Sequence, residues 1–222
     1  MSGNDYNIYD LSNLVPSVEE IRRQTARPAD QPASQEALQA MREYLVTCGY
    51  SETNSKVYNV ILRYGAAELE HKNVRGLFLR GDCGIGKSLG IKCLAAYFKW
   101  PVIPAKLLQT AYLSAESDEQ FWRIVDGLNF YGEARTIVID DVGTEDCPVM
   151  KYGTATNVIA DVLDRRYYEG FQRHGVRTIV TCNLTDAAMN DRYGVRISDR
   201  MDEMFRFATV SGQSLRQQTT NQ

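Results

Sequence analysis

Histidine is nearly missing from this chain, at two residues, and none of the five cysteines pairs as Cys-x-x-Cys. With only His71 and His174 to assist Cys48, Cys83, Cys93, Cys147 and Cys182, the spacing of a zinc or iron–sulfur site is absent. A core of this size needs no disulfide framework, so reduced thiols in a cytoplasmic setting are expected. Long apolar runs are also missing: no stretch approaches the ~18 residues that span a bilayer. The opening MSGNDYNIYD lacks the basic-then-apolar order of a secretory signal, and no membrane association is expected. An excess of positive charge is lacking as well, since 25 Lys and Arg stand against 28 Asp and Glu for a net charge of −3. The chain as a whole is therefore no polyanion-binding surface, and any nucleic-acid contact would need a local basic face or several copies.

What remains is an ordinary globular composition, 44% hydrophobic and 24% charged over 222 residues, enough for one α/β domain with an extension. Residues 1–33 are polar, and Gln24 to Gln35 carries two prolines, as a linker would. Apolar positions Ala37, Leu38, Met41, Tyr44 and Leu45 predict a helix over 34–47, and Val57, Val60, Ile61, Tyr64 and Leu69 predict another over 55–70. These form a helical extension over 34–73. From 74 to 211 short apolar runs (76–80, 102–105, 136–140, 178–182) alternate with helical patterns, notably 87–98 and 154–169, as in a parallel doubly wound sheet. A last strand is expected at 205–210, and a polar tail at 212–222.

Gly81 to Ser88 reads GDCGIGKS, the full G-x-x-x-x-G-K-[ST] pattern, placed after an apolar strand and before a helix. Glycines let the backbone curl until successive N–H groups face phosphate oxygens. Gly81, Asp82, Cys83, Gly84, Ile85, Gly86, Lys87, Ser88 and Leu89 thus form a candidate ATP-binding loop, with Lys87 reaching the β and γ phosphates. The Ser88 hydroxyl is a magnesium ligand in this pattern, and the helix N-terminus adds its positive end to the anion site. An acidic partner is expected at the end of a nearby strand, and Thr136 to Asp141 (TIVIDD) supplies it. Asp140 is the candidate for holding magnesium and Asp141 for polarising the attacking water. Asp141 is one methylene shorter than glutamate, which leaves hydrolysis possible and its rate open. An exposed acidic pair in a βα turn is the competing reading.

Four segments then occur in a telling order: GDCGIGKS, VIDDVGTE (138–145), TIVTCNLT (178–185) and RYGVRISDRM (192–201). Together they resemble the AAA+ ATPases of the DnaC/IstB group, which holds bacterial replicative helicase loaders and the ATPase helpers of certain transposases. The resemblance spans 74–216 and implies an AAA+ P-loop NTPase core, a parallel sheet flanked by helices, preceded by a short mostly helical N-terminal extension. It implies an ATP- and magnesium-dependent hydrolase, slow without partner or DNA, that assembles into a ring or spiral and remodels a protein–DNA complex in DNA replication. By this resemblance Asn183 matches the sensor 1 position, against a turn-capping asparagine as the alternative. Arg200 matches the arginine finger that a neighbouring subunit inserts, with Arg196 one turn earlier as second candidate. Their competitor is a helix of solvated ion pairs formed with Asp199 and Glu203. Arg216 matches the sensor 2 arginine, although the aromatic residue usual before it is missing here.

The same resemblance implies a replicative helicase or a transposase as partner, and single-stranded DNA as a ligand. The residues support DNA weakly. Between 106 and 135, Lys106, Arg123 and Arg135 face Glu116, Asp118, Glu119, Asp126 and Glu133, although Tyr112, Phe121, Trp122, Phe130 and Tyr131 could stack on bases. Outside the group, a P-loop small-molecule kinase and a nucleotide-gated binding module with little turnover remain as alternatives.

Overall fold

The computed structural model describes residues 30–50, 55–127, 134–212 and 214. Helices α1 (Gln35–Thr47) and α2 (Ser55–Leu69) come first, α1 capped by the Ser34 side chain accepting from the Ala37 N–H at 3.1 Å. Strand β1 (Gly76–Gly81) leads through the glycine-rich turn into α3 (Lys87–Phe98), followed by β2 (Val102–Pro104), α4 (Ala105–Ser114) and α5 (Asp118–Val125). Strand β3 (Ile137–Val142) precedes a hairpin of β4 (Val149–Lys151) and β5 (Thr154–Thr156). Helix α6 (Val158–Arg165) widens into a π-helical stretch (Arg166–Arg173) before β6 (Thr178–Cys182), α7 (Asp186–Tyr193), α8 (Val195–Met204) and β7 (Phe205–Val210). No helix among the described residues is long and apolar enough to cross a membrane.

Five strands form one parallel sheet in the order β2-β3-β6-β1-β7. Strand β6 therefore lies between the strand that feeds the glycine-rich turn and the strand that ends in Asp140 and Asp141. Alternate side chains serve opposite faces. Leu77, Leu79, Val138 and Ile179 face α1, α2 and α3, while Phe78, Ile137, Ile139 and Val180 face α4, α6 and α8. The two N-terminal helices share one core cluster with the sheet. Gly65 of α2 and Gly90 of α3 permit this close approach: a Cβ on Gly65 would lie 2.6 Å from Leu94, and one on Gly90 would lie 2.8 Å from Ile61 and Tyr50.

The run 154–169, expected as one helix, divides in the structure. Thr154–Thr156 pairs with β4 as a strand, and the helix starts only after Asn157, whose side chain accepts the Ala160 N–H at 3.2 Å. Alternating threonines favour the extended form, and the asparagine cap sets the helix start. The hairpin docks on α4 through Lys151, whose ammonium donates to the carbonyls of Tyr112 at 2.6 Å and Ala115 at 3.1 Å. These are free carbonyls at a helix end, the place where a cation is favoured.

Candidate nucleotide site

Hydrophobic anchoring and backbone strain shape the glycine-rich loop. Ile85 is fully buried in the α1–α3 core, which pins the loop from beneath. Gly86 sits at φ +94° as it opens α3, a left-handed conformation that side chains avoid. Gly81 lies so close to β7 that a Cβ would meet the Val210 carbonyl oxygen at 1.8 Å. Asp82 and Cys83 are exposed on the turn, and Leu89 is half exposed on the first turn of α3. The chain beyond β7 returns here: the Gly212 N–H donates to Asp82 Oδ2 at 3.1 Å, and Ser214 sits against Gly84.

A cleft of about 330 Å3 opens above this loop. Lys87, Ser88, Asp141, Thr144 and Asn183 line it together with Cys83, Gly84, Gly86 and Leu89. The sheet order explains the gathering, because β1, β6 and β3 all end on this side with α3 starting from it. Lys87 is buried, and its ammonium donates to the carbonyls of Gly81 at 2.7 Å and Asp82 at 2.6 Å and to Asn183 Oδ1 at 2.6 Å. Burial draws the Lys87 pKa below the ordinary lysine value, with nearby Cys83, Asp141 and Asp82 opposing the shift.

Asp140 and Asp141 diverge. Asp140 is buried, accepts from the Thr181 hydroxyl at 2.6 Å through Oδ1, and pairs with Lys92 of α3 at 3.2 Å through Oδ2. Asp141 turns into the cleft at φ +57°. Its N–H donates to Thr181 Oγ1 at 2.8 Å, and its carbonyl accepts from the Thr144 hydroxyl at 2.7 Å. The loop that follows is fixed by Glu145, buried, which accepts from the Gly143 N–H at 2.9 Å and pairs with Arg192 at 3.1 Å. The oxygens of Ser88, Asp140 and Asp141 form a hard donor set of the kind magnesium prefers. Among the described residues no group of three or more His, Cys, Asp or Glu side chains could hold a metal by itself.

The two arginines of α8 differ in setting. Arg200 is nine-tenths buried, paired with Asp164, and donates to the Tyr168 hydroxyl at 2.5 Å. Its guanidinium lies 4.6 Å from the Tyr168 ring centre and 5.5 Å from that of Tyr167. Arg196 is exposed. Neither lines the cleft of its own chain. Arg216, Phe130 and Tyr131 lie outside the described residues.

Thr181, Thr144 and Lys92 are site residues the sequence reading did not single out. Thr181 could have been found by counting back two residues from Asn183, which puts it on β6 opposite the acidic pair. Lys92 stands five residues after Lys87, near enough to one turn beyond Ser88 to face the same strand end.

No family model matches the chain, and no curated protein matches its sequence. Among solved structures, a crystal structure of the DnaC helicase loader superposes with a TM-score of 0.50 at 18% identity, covering 69% of this chain and 90% of that one. The chain has an α/β fold like that of the DnaC helicase loader structure, a parallel sheet flanked by helices. A structure of Pif1 helicases at forked double-stranded DNA is more distant, with a TM-score of 0.38 at 13% identity over 71% of this chain and 43% of that one.

Proposed function

We propose that this chain binds ATP with magnesium in the cleft and hydrolyses it as one member of an assembly that remodels a protein–DNA complex. The observation that carries the reading is the meeting of Lys87, Ser88, Asp141 and Asn183 around one cleft from three neighbouring elements. The loop N–H groups and Lys87 bind the phosphates, while Ser88 and Asp140 would hold magnesium, which when bound neutralises phosphate charge. Asp141 orients a water and accepts its proton as the water oxygen attacks the γ phosphorus and the bond to the β-phosphate oxygen breaks. Asn183 lies within reach of both Lys87 and the cleft and orients the same water or senses the γ phosphate. Arg216 remains a proposed nucleotide contact, on the sequence resemblance alone.

Arginine supplied in trans would complete the site. Arg196 is the better supported of the two, because it is exposed whereas Arg200 must first leave Asp164 and Tyr168. The likeness to a helicase loader supports a replicative helicase as partner, with single-stranded DNA as a further ligand; a transposase is the alternative within the same group. Turnover is measured with and without single-stranded DNA, over a range of protein concentrations, for the wild type, Asp141→Asn and Arg196→Ala. Concentration-dependent turnover that both substitutions remove is expected. Turnover untouched by Asp141→Asn, or phosphate appearing on a small metabolite, would sink the reading. A binding module with little turnover is the second reading, favoured by Asp141 standing where a longer glutamate would reach further into the cleft.

A further inference from the structure

Strand pairing breaks where the acidic pair begins. Ile139 lies opposite Val180 and Val142 opposite Cys182, so Asp140 and Asp141 together face one residue, Thr181. This is a β-bulge, with two residues against one, and it leaves one residue of the longer strand without its regular ladder partner. Thr181 is fully buried, and its side chain supplies the missing partner. A carboxylate can only accept, so the 2.6 Å contact with Asp140 Oδ1 takes the single hydroxyl proton. The oxygen lone pair is then free for the Asp141 N–H, and that bond is 2.8 Å.

The bulge matters because of the conformation it permits. Asp141 adopts φ +57°, a left-handed conformation that non-glycine residues avoid. Two threonines hold it there, Thr181 on the N–H and Thr144 on the carbonyl. Released, the residue would relax towards extended backbone, and its carboxylate would swing from the cleft, since successive strand residues point to opposite faces. Asp140 would keep only Lys92, whose side chain is 55% exposed.

We infer that Thr181 is a positioning residue: one hydroxyl fixes Asp140 and Asp141 together, setting the metal-side carboxylate and aiming the cleft-side one. The catalytic consequence rests on the hydrolytic reading proposed above, whereas the geometric half stands without it. The test uses the full chain as wild type, Thr181→Val, which keeps shape without the hydroxyl, and Thr181→Ser, which keeps the hydroxyl. Readouts are kcat and KM for magnesium ATP, amide hydrogen exchange at Asp141 in nucleotide-free protein, and thermal melting. Thr181→Val is expected to lower kcat about 10–100-fold, the usual scale for a group that orients a metal ligand. KM should stay within about threefold, because binding by the loop is untouched. Exchange at the Asp141 amide should rise at least ~10-fold as its acceptor is lost, and Thr181→Ser should restore both values.

Wild-type kcat in Thr181→Val, a serine variant no better than valine, or unchanged exchange at Asp141 would each overturn the inference. If the valine variant does not fold, Thr181→Ala carries the same expectations. If the wild type and Asp141→Asn turn over alike, the hydrolytic reading fails by itself, and exchange at the Asp141 amide still decides the role of Thr181.

Discussion

Lys87 Nζ stands 2.6 Å from Asn183 Oδ1, so the ammonium at the end of the glycine-rich loop is already held by the residue that follows β6. A phosphate entering the cleft must compete with this amide and with two loop carbonyls for the same three protons. The contact joins the site's binding group to its candidate sensor in one step. Under the proposed reading, occupancy of the loop would be felt at Asn183 through this contact.

This link separates two substitutions. Lys87→Ala is expected to weaken magnesium ATP binding at least ~100-fold, since a charge-assisted contact to phosphate is lost. Asn183→Ala should leave affinity within about threefold and lower kcat about 10–100-fold, because the amide acts on the water or the γ phosphate. Titration with a fluorescent ATP analogue and steady-state turnover measure the two effects apart.

The arginines of α8 separate in the same way. Arg200→Ala removes the cation from Asp164, the Tyr168 hydroxyl and two aromatic rings, so a loss of about 1–3 kcal/mol is expected. Arg196→Ala changes an exposed residue and should leave stability within about 0.5 kcal/mol. The dependence of turnover on protein concentration should vanish in Arg196→Ala while its melting curve overlays the wild type.

Arg166 is a structural linchpin outside the site. It is fully buried and donates to the Thr178 hydroxyl at 2.8 Å and to the carbonyls of Asp126 at 3.1 Å, Arg135 at 3.2 Å and Arg177 at 2.8 Å. Burial lowers its pKa to about 10, with the nearby Asp126 opposing the shift. Arg166→Met would leave those acceptors unpaired and should cost about 3 kcal/mol or more, read from urea unfolding.

Asp30 fastens the chain ahead of α1 to the sheet. Its side chain is nearly buried, accepts the N–H groups of Val74 at 2.8 Å and Arg75 at 3.1 Å, and pairs with Arg75 and Arg206. Burial raises its pKa, but the two backbone N–H groups and the arginines outweigh this and leave it below the ordinary 3.8. A depressed folded value means that this stabilisation is complete above about 3.8 and is lost as pH falls through the folded value. Asp30→Asn should therefore cost about 1–3 kcal/mol at neutral pH, with the gap to wild type closing in acid below that window.

Local chemistry made much of this legible in the sequence. The turn from Gly81 to Ser88 between β1 and α3 could be placed because its glycines and its Lys-Ser pair are adjacent in the chain. The strand ending in Asp140 could be read because an apolar run stopped at two carboxylates. The hairpin at 149–156 could not, since three-residue strands carry too little pattern to outweigh the helical spacing that follows.

The sequence by itself determined which groups the cleft contains: a glycine-rich turn with a lysine and a serine, two carboxylates and an asparagine, each at the end of a strand. Tertiary structure alone decided how they act on one another. It set Lys87 on Asn183, parked Arg200 against Asp164, and placed Thr181 opposite a bulge that turns Asp141 into the cleft. These relations depend on strand order and register, and neighbours 36 to 96 positions apart leave no mark in local sequence.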